Sequence, residues 1–117
     1  MIDRIKENQV IVCIIGLGYI GMPLAEAFSK DLKVIGYDTD SKKITELKQN
    51  LKNNNLSFTD RDGDISAADF FIICVPTPVS RSREPDLSYI KAAANVVSQN
   101  MKRNSTIKIL HRSLKVV

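Results

Sequence analysis

At 117 residues the chain suits one domain, which would bury roughly 65% of the surface its unfolded form exposes. A hydrophobic share of 44% and a charged share of 26% exclude a disordered or low-complexity chain. No apolar run approaches the ~20 residues of a membrane-spanning helix, and Met1-Ile2-Asp3-Arg4 lacks a signal-like core, which makes a cytoplasmic location the default. The net charge of +4 would suit nucleic acid, but the cations are dispersed and aromatics make up only 6%, so no nucleic-acid partner is expected.

The first element is an apolar run, Val10-Ile11-Val12-Cys13-Ile14-Ile15, which predicts a buried strand. Gly16-Leu17-Gly18-Tyr19-Ile20-Gly21 follows directly and reads G-x-G-x-x-G. In a strand–turn–helix setting each glycine has a task. Gly16 turns the chain out of the strand, Gly18 lets backbone approach a phosphate, and Gly21 lets the helix pack closely. The helix is predicted over about residues 20–30, with Leu24, Ala25, Ala27 and Phe28 toward the sheet and Pro23 in its first turn. A second apolar strand covers residues 32–37 and ends at Asp38, 22 positions after Gly16.

Alone, the glycine run is equally a turn that binds nothing. With strand, turn, helix, strand and acid in register, it predicts a dinucleotide site with pyrophosphate at the helix N-terminus. A carboxylate at residue 38 accepts from a ribose 2′-OH and repels a 2′-phosphate, which favours NAD over NADP. The plainer alternative for Asp38 is capping of the next helix, together with Thr39 and Asp40.

That next helix is expected over residues 40–49, with Ile44 and Leu47 on its apolar face, and the polar residues 50–55 break it. A short strand (56–59), a turn (60–64) and a short helix (65–68) precede a strong buried strand over residues 69–75. Pro76-Thr77-Pro78 ends that strand, because proline cannot donate to a ladder. Residues 81–85 form an exposed loop. Asp86 or Ser88 then caps a helix running to about residue 101, with Ile90, Ala93, Ala94, Val97 and Met101 inward, and residues 105–110 form the last strand. The fold class is therefore α/β: a Rossmann-type doubly wound parallel sheet of about five strands with helices on both faces. One domain is expected over residues 1–117, its core at about 9–110. Cys13 and Cys74 fall in predicted buried strands and read as core thiols, not as metal ligands or disulfide partners.

Three segments together carry a family resemblance: Gly16 to Ala25 with its Tyr19 and Met22-Pro23-Leu24-Ala25, Val75-Pro76-Thr77-Pro78, and Pro85-Asp86-Leu87-Ser88-Tyr89. In that order they resemble the UDP-glucose/GDP-mannose dehydrogenase family, over about residues 10–109. They look most like its branch acting on UDP-N-acetyl-D-mannosamine and UDP-N-acetylglucosamine. The resemblance implies oxidation of a nucleotide-sugar hydroxymethyl group to a carboxylate with two NAD, the aldehyde being held covalently by a cysteine between the two steps. Such activity serves polysaccharide biosynthesis, and the family's members form homo-oligomers. The resemblance further implies that Gly16, Gly18, Tyr19, Ile20 and Gly21 cradle the pyrophosphate. It puts Asp38 on the adenosine ribose with Lys43 beside it, and Val75, Pro76 and Thr77 at the cofactor. Without it, Lys43 is an exposed helix lysine and Thr77 a turn residue.

The chain also departs from the family pattern. The family's catalytic cysteine segment, central helix and UDP-sugar domain have no counterpart here, and neither Cys13 nor Cys74 substitutes. Residues 111–117 replace an expected Glu-Ser-Thr, so the lone His111 is given no catalytic role, and residues 51–55 are shorter than usual. The expectation is a truncated or frameshifted copy, or an N-terminal domain with a foreign tail: competent in fold, incomplete in its active site, and inactive alone. A stand-alone NAD-sensing module and a remnant that binds nothing are the alternatives. FAD would also tolerate the acid, but Val-Pro-Thr-Pro argues against it.

Overall fold

The computed structural model describes residues 10–78, 84 and 86–110. Five strands alternate with helices: β1 (Ile11–Ile15), α1 (Gly21–Phe28), β2 (Lys33–Tyr37), α2 (Ser41–Asn50), β3 (Leu56–Thr59), β4 (Phe70–Ile73), α3 (Ser88–Asn100) and β5 (Thr106–Ile109). All pairings are parallel, in the order β3-β2-β1-β4-β5, which is the expected Rossmann-type arrangement.

Burial on both faces explains why β1, β2 and β4 are nearly continuous apolar runs. Alternate residues of β1 serve different cores. Cys13 and Ile15 join Phe71 and Ile73 of β4 beneath Ala93 and Val97 of α3. Val12 and Ile14 join Val34 beneath Ala25 of α1 and Ile44 of α2. Helices thus cover both faces, and the chain changes face between β3 and β4. The crevice at that switch point opens between β1 and β4, at their carboxyl ends, where open α/β sheets hold ligands.

Several boundaries differ from those predicted. In α1, Ala25 is buried and Leu24 and Phe28 pack against the core, but Ala27 points to solvent. The short helical turn lies at Asp62–Ile65 instead of 65–68. Two hydroxyl–carboxylate bonds hold it there, Tyr37 to Asp62 (2.5 Å) and Thr59 to Asp64 (2.5 Å), while Ser41 donates to Asp60 (2.6 Å) just before it. Cys74 lies just past the end of β4, half-buried, and not inside a buried strand. The polar break at 50–55 has a role of its own. Asn53 and Asn55 donate to the Oγ and carbonyl of Ser29, closing the C-terminus of α1. The predicted loop at 81–85 lies outside the described residues except for Glu84, as does the tail at 111–117. No helix among the described residues is long and apolar enough to cross a membrane.

Candidate cofactor site

The glycine turn joins β1 to α1, and its three glycines do different work. Gly16 has φ +100°, a conformation that L side chains rarely adopt, and a Cβ there would lie 2.9 Å from the Cys74 carbonyl oxygen. A Cβ on Gly21 would fall 1.7 Å from the Gly16 carbonyl oxygen, so this glycine is required by the packing of α1 on the turn. Around Gly18 nothing lies within 4 Å of the corresponding position, and its φ is not in the left-handed region. The fold does not require glycine at residue 18. It leaves open space there, beside the start of a helix.

Leu17 anchors this turn. Its side chain is buried, and its two methyl groups would be 3.1 and 3.2 Å from any Cβ on Gly36, which is why β2 carries glycine at that point. With Leu17 turned inward, Tyr19 and Ile20 stand in solvent. The first helical bond of α1 runs from Met22 N–H to the Gly18 carbonyl (3.1 Å), so the N–H groups of residues 18–21 precede the ladder. No acidic residue occupies the first turn of α1, and no side chain caps it. Its end carries the partial positive charge that attracts anions.

Asp38 follows β2 and meets the same turn. Its Oδ2 accepts the Leu17 N–H (2.9 Å), and its Oδ1 accepts the Asp40 N–H (3.0 Å). Asp38 is therefore not the helix cap. Asp40 is, its Oδ1 accepting the Lys43 N–H at 3.1 Å. Lys43 Nζ lies 3.6 Å from Asp38 Oδ2 and donates to the Leu17 carbonyl at 3.3 Å. The Leu17 residue is thus held at both ends, its N–H by the carboxylate and its carbonyl by the ammonium.

A cleft of about 830 Å³ opens between this network and the end of β4. That volume lies within the range of small-molecule sites, roughly 300–1,000 Å³. Of the ten residues singled out from the sequence, Gly16, Gly18, Tyr19, Ile20, Asp38, Lys43, Val75, Pro76 and Thr77 line it, and Gly21 does not. Gly21 sits behind the cleft, in the packing of α1. The sequence reading missed Leu17 and Thr39, and on the far wall Tyr89, Ala93, Val96 and Leu110. The inward periodicity of α3 marked Ala93 as buried but gave no sign that its neighbours line a cleft.

The open cradle at Gly18, the unpaired helix end and an acceptor fixed at residue 38 fit a dinucleotide. The thiols do not add a nucleophile. Burial pushes the Cys13 thiol well up from its ordinary value, and desolvation pushes Cys74 up to about 11. Both are protonated at neutral pH. No group of three or more metal-ligating side chains is present among the described residues.

Comparison with known proteins shows the family and the fold. The family model for the UDP-glucose/GDP-mannose dehydrogenase family, NAD binding domain, matches residues 10–113. The UDP-N-acetyl-D-glucosamine 6-dehydrogenase of Salmonella typhi is 35% identical over 112 residues, covering 86% of this chain and 26% of that protein. The UDP-N-acetyl-D-mannosamine dehydrogenase of Pyrococcus horikoshii is 38% identical over 115 residues, covering 84% of this chain and 27% of that protein. A solved structure of UDP-D-ManNAc dehydrogenase from Pyrococcus horikoshii superimposes with a TM-score of 0.80 at 32% identity, over 87% of this chain and 28% of that one. The chain spans about a quarter of the length of the curated relatives it matches.

Proposed function

Since the chain belongs to the UDP-glucose/GDP-mannose dehydrogenase family, and forms its NAD binding domain, we infer that the cleft holds NAD for oxidation of a UDP-N-acetylhexosamine. The pyrophosphate lies over Gly18, against the N–H groups at the start of α1. Gly16 lines that turn, Gly21 shapes it from behind, and Tyr19 and Ile20 border it. Asp38 accepts from the adenosine ribose with Lys43 beside it, and Val75, Pro76 and Thr77 flank the cofactor at the end of β4. Bound there, NAD supplies the hydride acceptor for the oxidation of a sugar hydroxymethyl group. The relatives support the substrate class, being named as a UDP-N-acetyl-D-glucosamine 6-dehydrogenase and a UDP-N-acetyl-D-mannosamine dehydrogenase.

The observation that carries this reading is the open space at Gly18, where glycine has no structural necessity. The described thiols are both protonated at neutral pH, so the covalent step expected of the family is not assigned to Cys13 or Cys74. Titration calorimetry tests the reading. The chain should bind NAD, and Asp38→Ala should weaken binding at least about tenfold, as expected for loss of a hydrogen bond to a charged acceptor. Incubation with NAD and UDP-N-acetylmannosamine should give no sustained NADH. Absence of NAD binding at millimolar concentration would overturn the cofactor reading, and sustained NADH production would overturn the statement about the thiols.

A further inference from the structure

Lys43 is the third residue of α2, yet its side chain does not simply extend into solvent. It reaches back to the β1–α1 turn, 26 residues away in sequence, and ends on the Leu17 carbonyl and near Asp38 Oδ2. At 3.6 Å its contact with the carboxylate is looser than a tight charge-assisted bond. An ammonium has three donors, and these contacts account for two of them. The group lines the cleft beside Asp38 and Thr39.

Asp38, in contrast, is fixed from both sides. Each carboxylate oxygen takes one backbone N–H, from Leu17 and from Asp40. At the ribose end, then, the cleft presents a pair of opposite charges and not an isolated anion. A ribose 2′-OH is satisfied by the carboxylate. A 2′-phosphate, with its extra negative charge, would be repelled by Asp38 and attracted by Lys43.

We propose that Lys43 is a specificity-determining residue, its ammonium a latent anchor for a ribose 2′-phosphate that Asp38 holds in check. The preference of the cleft for NAD is set by the pair, not by the acid alone. Removing the carboxylate leaves the ammonium where a 2′-phosphate would arrive, still tethered to the Leu17 carbonyl. This inference rests on the cofactor reading given above.

The experiment compares Asp38→Ser and Asp38→Asn, each with and without Lys43→Met. NAD, NADP and adenosine 2′,5′-bisphosphate are titrated at low and high salt, and thermal melting confirms folding. Each Asp38 variant should lose about tenfold in NAD affinity and gain at least about tenfold for NADP and the bisphosphate. The gain should shrink with salt, disappear with Lys43→Met and persist with Lys43→Arg. In the otherwise unaltered chain, Lys43→Met should lower NADP affinity by more than NAD affinity, a comparison that does not need either Asp38 variant to fold. A NADP gain that survives Lys43→Met overturns the proposal. So does an equal loss for both dinucleotides when Lys43 alone is changed. If the unaltered chain binds NAD and these results follow, only the role of Lys43 falls. If it binds neither dinucleotide, the cofactor reading falls with it.

Discussion

Replacing Gly18 and Gly21 in turn by alanine separates what the fold needs from what the ligand needs. A methyl group on Gly18 meets nothing within 4 Å, and the residue's φ lies outside the left-handed region. The change should therefore act through the unfolded chain, which loses conformational freedom, and stabilise by about 0.4–1 kcal/mol. With an unfolding entropy near 2.1 cal/mol/K per residue, a chain of this length should melt about 2–4 °C higher. NAD binding should move the other way. The methyl group occupies the cradle, and losing one charge-assisted bond to the pyrophosphate costs about 1.5–3 kcal/mol, or roughly 10- to 150-fold in affinity. Gly21→Ala places its Cβ 1.7 Å from the Gly16 carbonyl oxygen. Backbone cannot yield there without moving α1, so the cost should reach or exceed about 3 kcal/mol, and Tm should fall by about 12 °C or more. Calorimetric melting and NAD titration of both variants supply the readouts. A Gly18→Ala chain that melts several degrees lower, or that binds NAD like the parent, would refute the division of labour among the glycines.

Two further outcomes follow from the geometry. Asp40→Ala removes the side-chain acceptor for the Lys43 N–H at the start of α2 and should cost about 1 kcal/mol, visible as a lower midpoint in urea unfolding with unchanged slope. Cys74, with its thiol pushed up to about 11, should alkylate with iodoacetamide about a hundredfold more slowly at pH 8 than an ordinary cysteine. Its rate should climb with pH toward that value, because raising pH generates the thiolate. Saturating NAD should slow it further, since Cys74 lines the cleft. Rapid labelling at pH 7, located by peptide mapping, would contradict the desolvated setting.

The parts of the molecule dictated by local chemistry could be read from the residues. The runs of β1, β2 and β4 are apolar because helices cover both of their faces, and the order glycine turn, helix, strand, acid placed Asp38 beside the turn. What escaped depended on contacts between distant segments. The short helical turn at Asp62–Ile65 is tied to the hydroxyl of Tyr37, 25 residues upstream of its partner Asp62, and to the nearer Thr59. Asp38, Asp40 and Thr39 are all plausible caps from sequence, and only the Leu17 N–H pointing at residue 38 frees Asp38 for another task. Leu17 looks like a spacer between glycines, yet it is buried because Gly36 leaves room for it. Helical spacing predicts Ala27 inward, but α1 is short and its buried stripe is too narrow to include it. The far wall of the cleft was missed because exposure of Tyr89 on α3 follows from the shape of the crevice and not from helical periodicity.

The seat of Leu17 against Gly36 also bears on how the sheet finds its alignment. β1 and β2 pair with Ile14 opposite Gly36 and Ile15 opposite Tyr37, and the Gly16 N–H closes the ladder on the Tyr37 carbonyl at 2.8 Å. A slip of one residue would turn every side chain of β2 to the opposite face. It would bring Ile35 or Tyr37 against Leu17 in place of glycine, and swing the carboxylate of Asp38 away from the Leu17 N–H. Only one alignment both accommodates Leu17 and aims the acid at the crevice. A ligand that needs both the turn and the acid at that crevice would bind correctly paired strands and so stabilise them over slipped ones.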